Sequence, residues 1–158
     1  MSDPLRLRRA EATEPGVRAL IAAQQAHGAE AAPETNDYTF GVAALSAPEV
    51  TMWALADGDA VAAIGALCDL GDGVAEVKSV HVAAAYRGRG LARRLMAHLH
   101  EAARAAGHRA LVLETGSEAL PGYDAARALY RGLGYGPCGV LPGYRDDPAS
   151  AFFRLELA

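Results

Sequence analysis

The sequence predicts an α/β (α+β) domain: a mixed, mostly antiparallel twisted sheet of about six to seven strands with about four helices on its faces. Two patterns lead there. Three apolar runs of strand length follow one another across glycine-bearing turns, as antiparallel neighbours do. Further along, helix-spaced stretches alternate with single strands, and a strand reached through a helix pairs parallel to the one before it.

The elements follow in order. Leu5-Arg6-Leu7-Arg8 alternates with period two and reads as a strand. Thr13 is placed to cap a helix running to about Gly28, with Pro15 in its tolerant first turn. Val17, Leu20, Ile21 and Gln24 form its buried stripe. Residues 32–36 break this helix, and a second short one follows to about Leu45. The runs 50–56 and 60–68 flank Asp57-Gly58-Asp59, a strong hairpin signal. A third run, 74–82, follows Gly71-Asp72-Gly73 and should pair antiparallel with the second. Leu91, Leu95, Leu99 and Ala102 then share one helical face, with Gly107 placed to stop that helix. Residues 110–113 form a buried strand parallel to 74–82. A last helix spans about 124–133 and ends at Gly134, and residues 152–157 close the sheet.

A chain of 158 residues suits a single domain over 1–158 with a sizeable core. Its 51% hydrophobic and 22% charged content is that of an ordinary globule. No apolar run approaches the ~20 residues that cross a bilayer. Arginines 6, 8 and 9 stand where a signal peptide would need an apolar core, so a cytoplasmic location and no membrane partner are expected. Cys68 and Cys138 are too few for a disulfide framework or a zinc site, and no metal is expected. A net charge of -4, without a basic cluster interleaved with aromatics, disfavours nucleic acid as a partner. Arg87-Gly88-Arg89 and Arg93-Arg94 do form one local basic patch, which suits a compact phosphate ligand.

The stretch from Val80 through Tyr86-Arg87-Gly88-Arg89-Gly90-Leu91-Ala92 runs from a strand into a glycine-bearing turn that opens directly into a helix. The first helical N–H groups lack intrahelical partners, and the macrodipole adds positive charge there, so the turn is ready for phosphate. Gly88 and Gly90 let a pyrophosphate approach the backbone. A Walker loop would need Gly-Lys-Ser/Thr, and a dinucleotide fingerprint would need glycine where Arg93 stands. What remains is R-x-x-G-x-A, filled by Arg87, Gly90 and Ala92.

This motif resembles the acetyl-CoA loop of GNAT acetyltransferases. Ala125-Ala126-Arg127-Ala128-Leu129-Tyr130, continuing to Gly134-Tyr135, is similar to the second motif of that family, in the right order and at ordinary spacing. The resemblance covers almost the whole chain. Ser79 to Ala92, Leu113-Glu114-Thr115-Gly116 and Tyr144-Arg145-Asp146-Asp147-Pro148 also look like the bacterial YsnE-like subgroup.

The resemblance implies an acetyl-CoA-dependent N-acetyltransferase acting on a small amine by direct transfer in a ternary complex. A catalytically silent acyl-CoA-binding or sensor domain is the alternative. Backbone amides of Arg87, Gly88, Arg89, Gly90, Leu91 and Ala92 would hold the pyrophosphate. Val80, His81 and Val82 would form the strand that pairs with pantetheine, and a strand-end amide there would stabilise the oxyanion. Tyr130 holds the position of a general acid for the thiolate, or else packs as a helix tyrosine. Asp124 stands near a cofactor-contacting position and would equally serve as an N-cap.

Glu76 matches a position that supplies a base in some relatives, and an ion pair with Lys78 is the other reading. Glu76, Lys78, Val80 and Val82 share parity, so a plain strand would send Glu76 to the valine side. The strand bulge common in the family would reset that alternation. Glu34, Asn36, Tyr144 and Arg145 would border the acceptor pocket. A carboxylate-bearing amine such as an amino acid suits Arg145, while a surface pair with Asp146 or Asp147 is its other reading. The resemblance leaves a monomer and a homodimer both open.

Overall fold

The computed structural model describes residues 4–31 and 41–157. Alternation builds β1 (Arg6–Ala10), and the chain then enters α1 (Pro15–Ala31). The first helical bond runs from the Arg18 N–H to the Glu14 carbonyl at 2.8 Å, so the cap position is Glu14 rather than Thr13. Ala29-Glu30-Ala31 favours helix strongly enough to carry α1 past Gly28. After α2 (Val42–Leu45) come β2 (Val50–Asp57), β3 (Ala60–Gly71) and β4 (Val74–Val82).

A 3-10 turn over Ala84–Tyr86 leads to α3 (Leu91–Ala105). This helix stops as its sequence predicts: Gly107 sits at φ +88, and the His108 N–H reaches back to the Ala103 carbonyl at 3.0 Å. Next come β5 (Ala110–Gly116), a 3-10 turn over Pro121–Tyr123, α4 (Asp124–Gly132), the two-residue β6 (Gly136–Pro137) and β7 (Ser150–Glu156).

Among the described residues, seven strands lie in the order β1-β2-β3-β4-β5-β7-β6. Every neighbouring pair is antiparallel except β4 with β5, whose parallel pairing follows from the α3 connection. This is the mixed, mostly antiparallel sheet with four helices that the sequence predicts. Residue 152–157 does not close it, however: β7 inserts between β5 and β6, and β6 takes the edge.

Period-two alternation sorts side chains onto two faces. Ile64 and Ala66 of β3 pack with Val17, Leu20 and Ile21 of α1. On the other face Leu67, Val77, Leu111 and Phe153 pack with Met96, Leu99 and Ala103 of α3 and with Tyr130 of α4. Gly65 brings α3 close to β3: a Cβ there would stand 2.9 Å from Leu95 Cδ2. Among the described residues, no helix is long and apolar enough to cross a membrane.

Candidate active site

The central feature is a gap in the sheet. The β4–β5 ladder contains only Val74↔Ala110, Ala75↔Leu111 and Glu76↔Val112. Beyond it, among the described residues, β4 pairs only with β3 and the end of β5 pairs only with β7. Two strand edges therefore face each other across open space.

A bulge marks the divergence. The β3–β4 register jumps from Ala66↔Lys78 to Ile64↔His81, so Ser79 and Val80 together oppose Gly65. Ser79 takes φ +58, a left-handed conformation that costs a non-glycine residue about 1–2 kcal/mol. The extra residue bends the strand and resets its alternation. Val80 and Val82 pack with Leu91 and Leu95 of α3, while Val77 lies on that same side. Glu76, Lys78 and His81 take the opposite side, in register with Cys68, Ala66 and Ile64.

A cavity of about 400 Å³ occupies the gap. Val77–Val82 of β4, Glu114–Gly116 of β5, and Ala125, Ala126, Leu129 and Tyr130 of α4 line it, with Gln24, Tyr123 and Tyr144. Arg87 and Ala92 bring the start of α3 to its mouth. That helix opens at Gly90, which is left-handed (φ 72, ψ 19) and gives no side-chain cap. The amides of its first turn are consequently available to a ligand. Gly88 is left-handed too, at φ +80, and a Cβ on either glycine would meet no atom of the described residues within 4 Å. The residues thus fit an extended ligand with a phosphate end: amides at the helix start and two unpaired strand edges leading inward from it.

Tyr130 is 9% exposed. Burial, helped by the charge of Glu114, pushes its phenol up to about 12, so it stays protonated throughout the physiological range. Glu76 is 3% exposed. The Tyr144 hydroxyl donates to its Oε2 at 2.5 Å, and Lys78 Nζ lies 3.7 Å from its Oε1. Burial raises the Glu76 carboxyl above its ordinary value, while Tyr144 and Lys78 pull the other way. Two more polar atoms on the lining, Ser79 Oγ and Gln24 Oε1, are buried without a partner among the described residues. Among the described residues, no group of three His, Cys, Asp or Glu side chains could hold a metal ion.

A family model described as "Acetyltransferase (GNAT) family" matches residues 15–135. The chain belongs to that family. It is similar to the uncharacterized N-acetyltransferase YedL of Escherichia coli (strain K12), at 35% identity over 145 residues covering 92% of this chain and 90% of that one. It is also similar to the uncharacterized N-acetyltransferase YsnE of Bacillus subtilis (strain 168), at 34% identity over 125 residues and 79% and 82% coverage. A solved Klebsiella pneumoniae structure, named a "putative acyl-CoA N-acyltransferase", superposes with a TM-score of 0.76 at 28% identity, covering 98% of each chain. The protein is thus an acyltransferase of the GNAT family.

The GNAT fold gathers half of the sequence-predicted residues. Val80, His81, Val82, Arg87, Ala92, Tyr130, Glu76 and Tyr144 all line the one cavity. Leu91 turns its side chain into the core, 5% exposed. Arg89 lays its guanidinium over the Tyr86 ring at 5.2 Å. Asp124 is neither on the cavity lining nor the cap of α4: Tyr123 holds the cap position, and Asp124 pairs with Arg127. Arg145 is exposed and absent from the lining. Glu34 and Asn36 lie outside the described residues.

Sequence reasoning missed Gln24 and Ser79 as lining residues. It also missed Arg127, which is buried at 4% exposure and donates to the carbonyls of Gly116, Ser117 and Leu120. The Asp124-x-x-Arg127 spacing on a helix was its available signal.

Proposed function

We infer that this GNAT protein moves an acetyl group from acetyl-CoA to the amine of a small acceptor, in a ternary complex. The observation that carries the reading is the gap between β4 and β5. A phosphate-ready helix start lies at its mouth, and a carboxylate and a phenol line its walls. Pantetheine amides suit the exposed strand edges, and the pyrophosphate suits the amides from Arg87 to Ala92. A concave cavity of about 400 Å³ is of the size that takes a small acceptor.

The acceptor ammonium gives a proton to Glu76. The freed nitrogen bonds to the thioester carbonyl carbon, and a backbone N–H at the Val80 strand end accommodates the charge on oxygen. The C–S bond then breaks, and sulfur leaves with the electron pair. Tyr130 is the donor to that sulfur. Full transfer from a phenol near 12 to an alkyl thiol near ~8.5 is uphill by about 3.5 pK units, or ~5 kcal/mol. The phenol therefore stabilises the thiolate by hydrogen bonding, and the second amine proton completes the thiol. The products are an acetamide, free CoA and one proton.

The test is release of CoA thiol with a mixed amine panel, with products identified by mass. Tyr130→Phe keeps the ring and should lower turnover by about 10²–10³-fold with little change in acetyl-CoA affinity. Tight acetyl-CoA binding with no acetylated amine from a broad panel would favour the silent binding domain instead.

A further inference from the structure

Glu76 is fixed by a residue 68 positions away. Tyr144 belongs to the segment between β6 and β7, and both ends of its side chain are engaged. The ring stands edge-on to Phe152, with centroids 5.6 Å apart and planes at 77°. The hydroxyl donates to Glu76 Oε2 at 2.5 Å. The segment itself is anchored: Leu141 is buried with Val112 and Phe152, and the Tyr144 N–H donates to the Leu141 carbonyl at 3.1 Å. This placement differs from that of an acceptor-binding side chain, whose hydroxyl would be directed to substrate.

We propose that Tyr144 is a positioning residue for Glu76: its phenol occupies Oε2, so that Oε1 is the oxygen that receives the acceptor's proton. The proposal rests on the reading of Glu76 as the base. A carboxylate has two chemically equivalent oxygens and a rotatable terminal torsion, so an unheld Glu76 would present either one. A phenol-to-carboxylate bond of this length is charge-assisted, which makes it strong enough to select a single orientation. It also favours the ionised form that a base requires, against the burial that disfavours it.

The other groups around Glu76 do not duplicate this role. Lys78 on β4 pairs with the other oxygen, its Nζ 3.7 Å from Oε1, and also favours the ionised carboxylate, but it does not hold Oε2. Cys68 on β3 is opposite in register, and burial raises its thiol, so it stays neutral. Val112 on β5, across the parallel ladder, is apolar. Glu114 of β5 and His81 of β4 lie on the same cavity lining, and Glu114 accepts from the Ser150 hydroxyl at 2.7 Å.

The experiment is a pH titration of carbon-13-labelled glutamate carboxyls by NMR, in wild type and Tyr144→Phe, with Glu76 assigned from the resonance missing in Glu76→Gln. Phenylalanine keeps the ring against Phe152. The Glu76 midpoint should rise by roughly one pH unit in Tyr144→Phe, with the other glutamates unmoved. The acid limb of kcat/KM, measured with an amine from the panel, should rise with it. An unmoved Glu76 midpoint overturns the proposal and leaves the base reading standing. A midpoint that moves while the acid limb stays in place overturns the base reading, and the proposal with it.

Discussion

Replacing Arg127 with alanine should remove about 3–5 kcal/mol of folding stability. The residue is 4% exposed, and its Nη1 donates to three carbonyls: Gly116 at 2.7 Å, Ser117 at 2.6 Å and Leu120 at 3.2 Å. Hydrogen bonds to a charged group contribute ~1.5–3 kcal/mol each, but three sharing one nitrogen do not add. The cost of breaking a buried charge network is the better guide, and it applies to a site where Gly116 is buried and Ser117 half-buried. For a chain of this length, ~3–5 kcal/mol lowers Tm by roughly 6–20 °C. Asp124→Asn is the control. Its side chain is 72% exposed, so losing that charge should cost no more than ~1 kcal/mol. Urea unfolding of both variants at constant m-value checks the pair. The loop that Arg127 holds supplies Gly116, Leu120, Gly122 and Tyr123 to the cavity wall, so acetyl-CoA affinity should weaken as well. An Arg127→Ala protein within ~1 kcal/mol of wild type would refute the reasoning, because the three carbonyls would then be satisfied equally well by water.

Two further outcomes are expected. Gly90→Val meets no atom of the described residues at its Cβ, so its folding cost should be mostly the strain of φ +72, while calorimetry should find acetyl-CoA binding lost; wild-type affinity in the folded variant would remove the loop from the site. Glu76 has a raised carboxyl in the folded state, so between its ordinary 4.5 and that higher value the native protein holds more protons than the unfolded chain. Stability should therefore fall as pH rises through this window, and Glu76→Gln should lack the fall. Denaturation midpoints from pH 4 to 8 decide it, and a wild-type-to-variant difference that is flat with pH counts against the assignment.

Local rules made most of the framework legible. The hairpin at Gly58, the stop at Gly107 and the helix-linked parallel pair each depend on a few adjacent residues. Where those rules compete, the reading slipped. Thr13 is a better cap by type than Glu14, yet the chain starts its helix one residue later. The two-residue β6 contains a proline and is too short to show any period. Parity alone would have put Glu76 with the valines. Only the bulge separates them, and Ser79 gives no local sign of it because its left-handed backbone is one that glycine usually supplies. Contacts between distant positions stayed hidden. Tyr144 was legible as a pocket residue through the family resemblance, but its bond to Glu76 is set by how the segment before β7 folds back. Arg145, next to it, is exposed and does not line the cavity.

The parting of β4 and β5 also bears on how long the protein lasts in a cell. Without its donor, the chain carries an incomplete sheet, with peptide groups along two edges that have no strand between them. On the function proposed above, pantetheine serves as the missing segment, so the donor is a structural component as well as a reactant. A ligand that binds only the folded form at 100 times its Kd adds about 2.7 kcal/mol of stability, and 1,000 times adds about 4.1. Differences of that size change the unfolded population, and hence exposure to proteases, by some two to three orders of magnitude. The abundance of the protein would then follow the supply of acetyl-CoA: plentiful when acetyl groups are plentiful, and cleared faster when they run short.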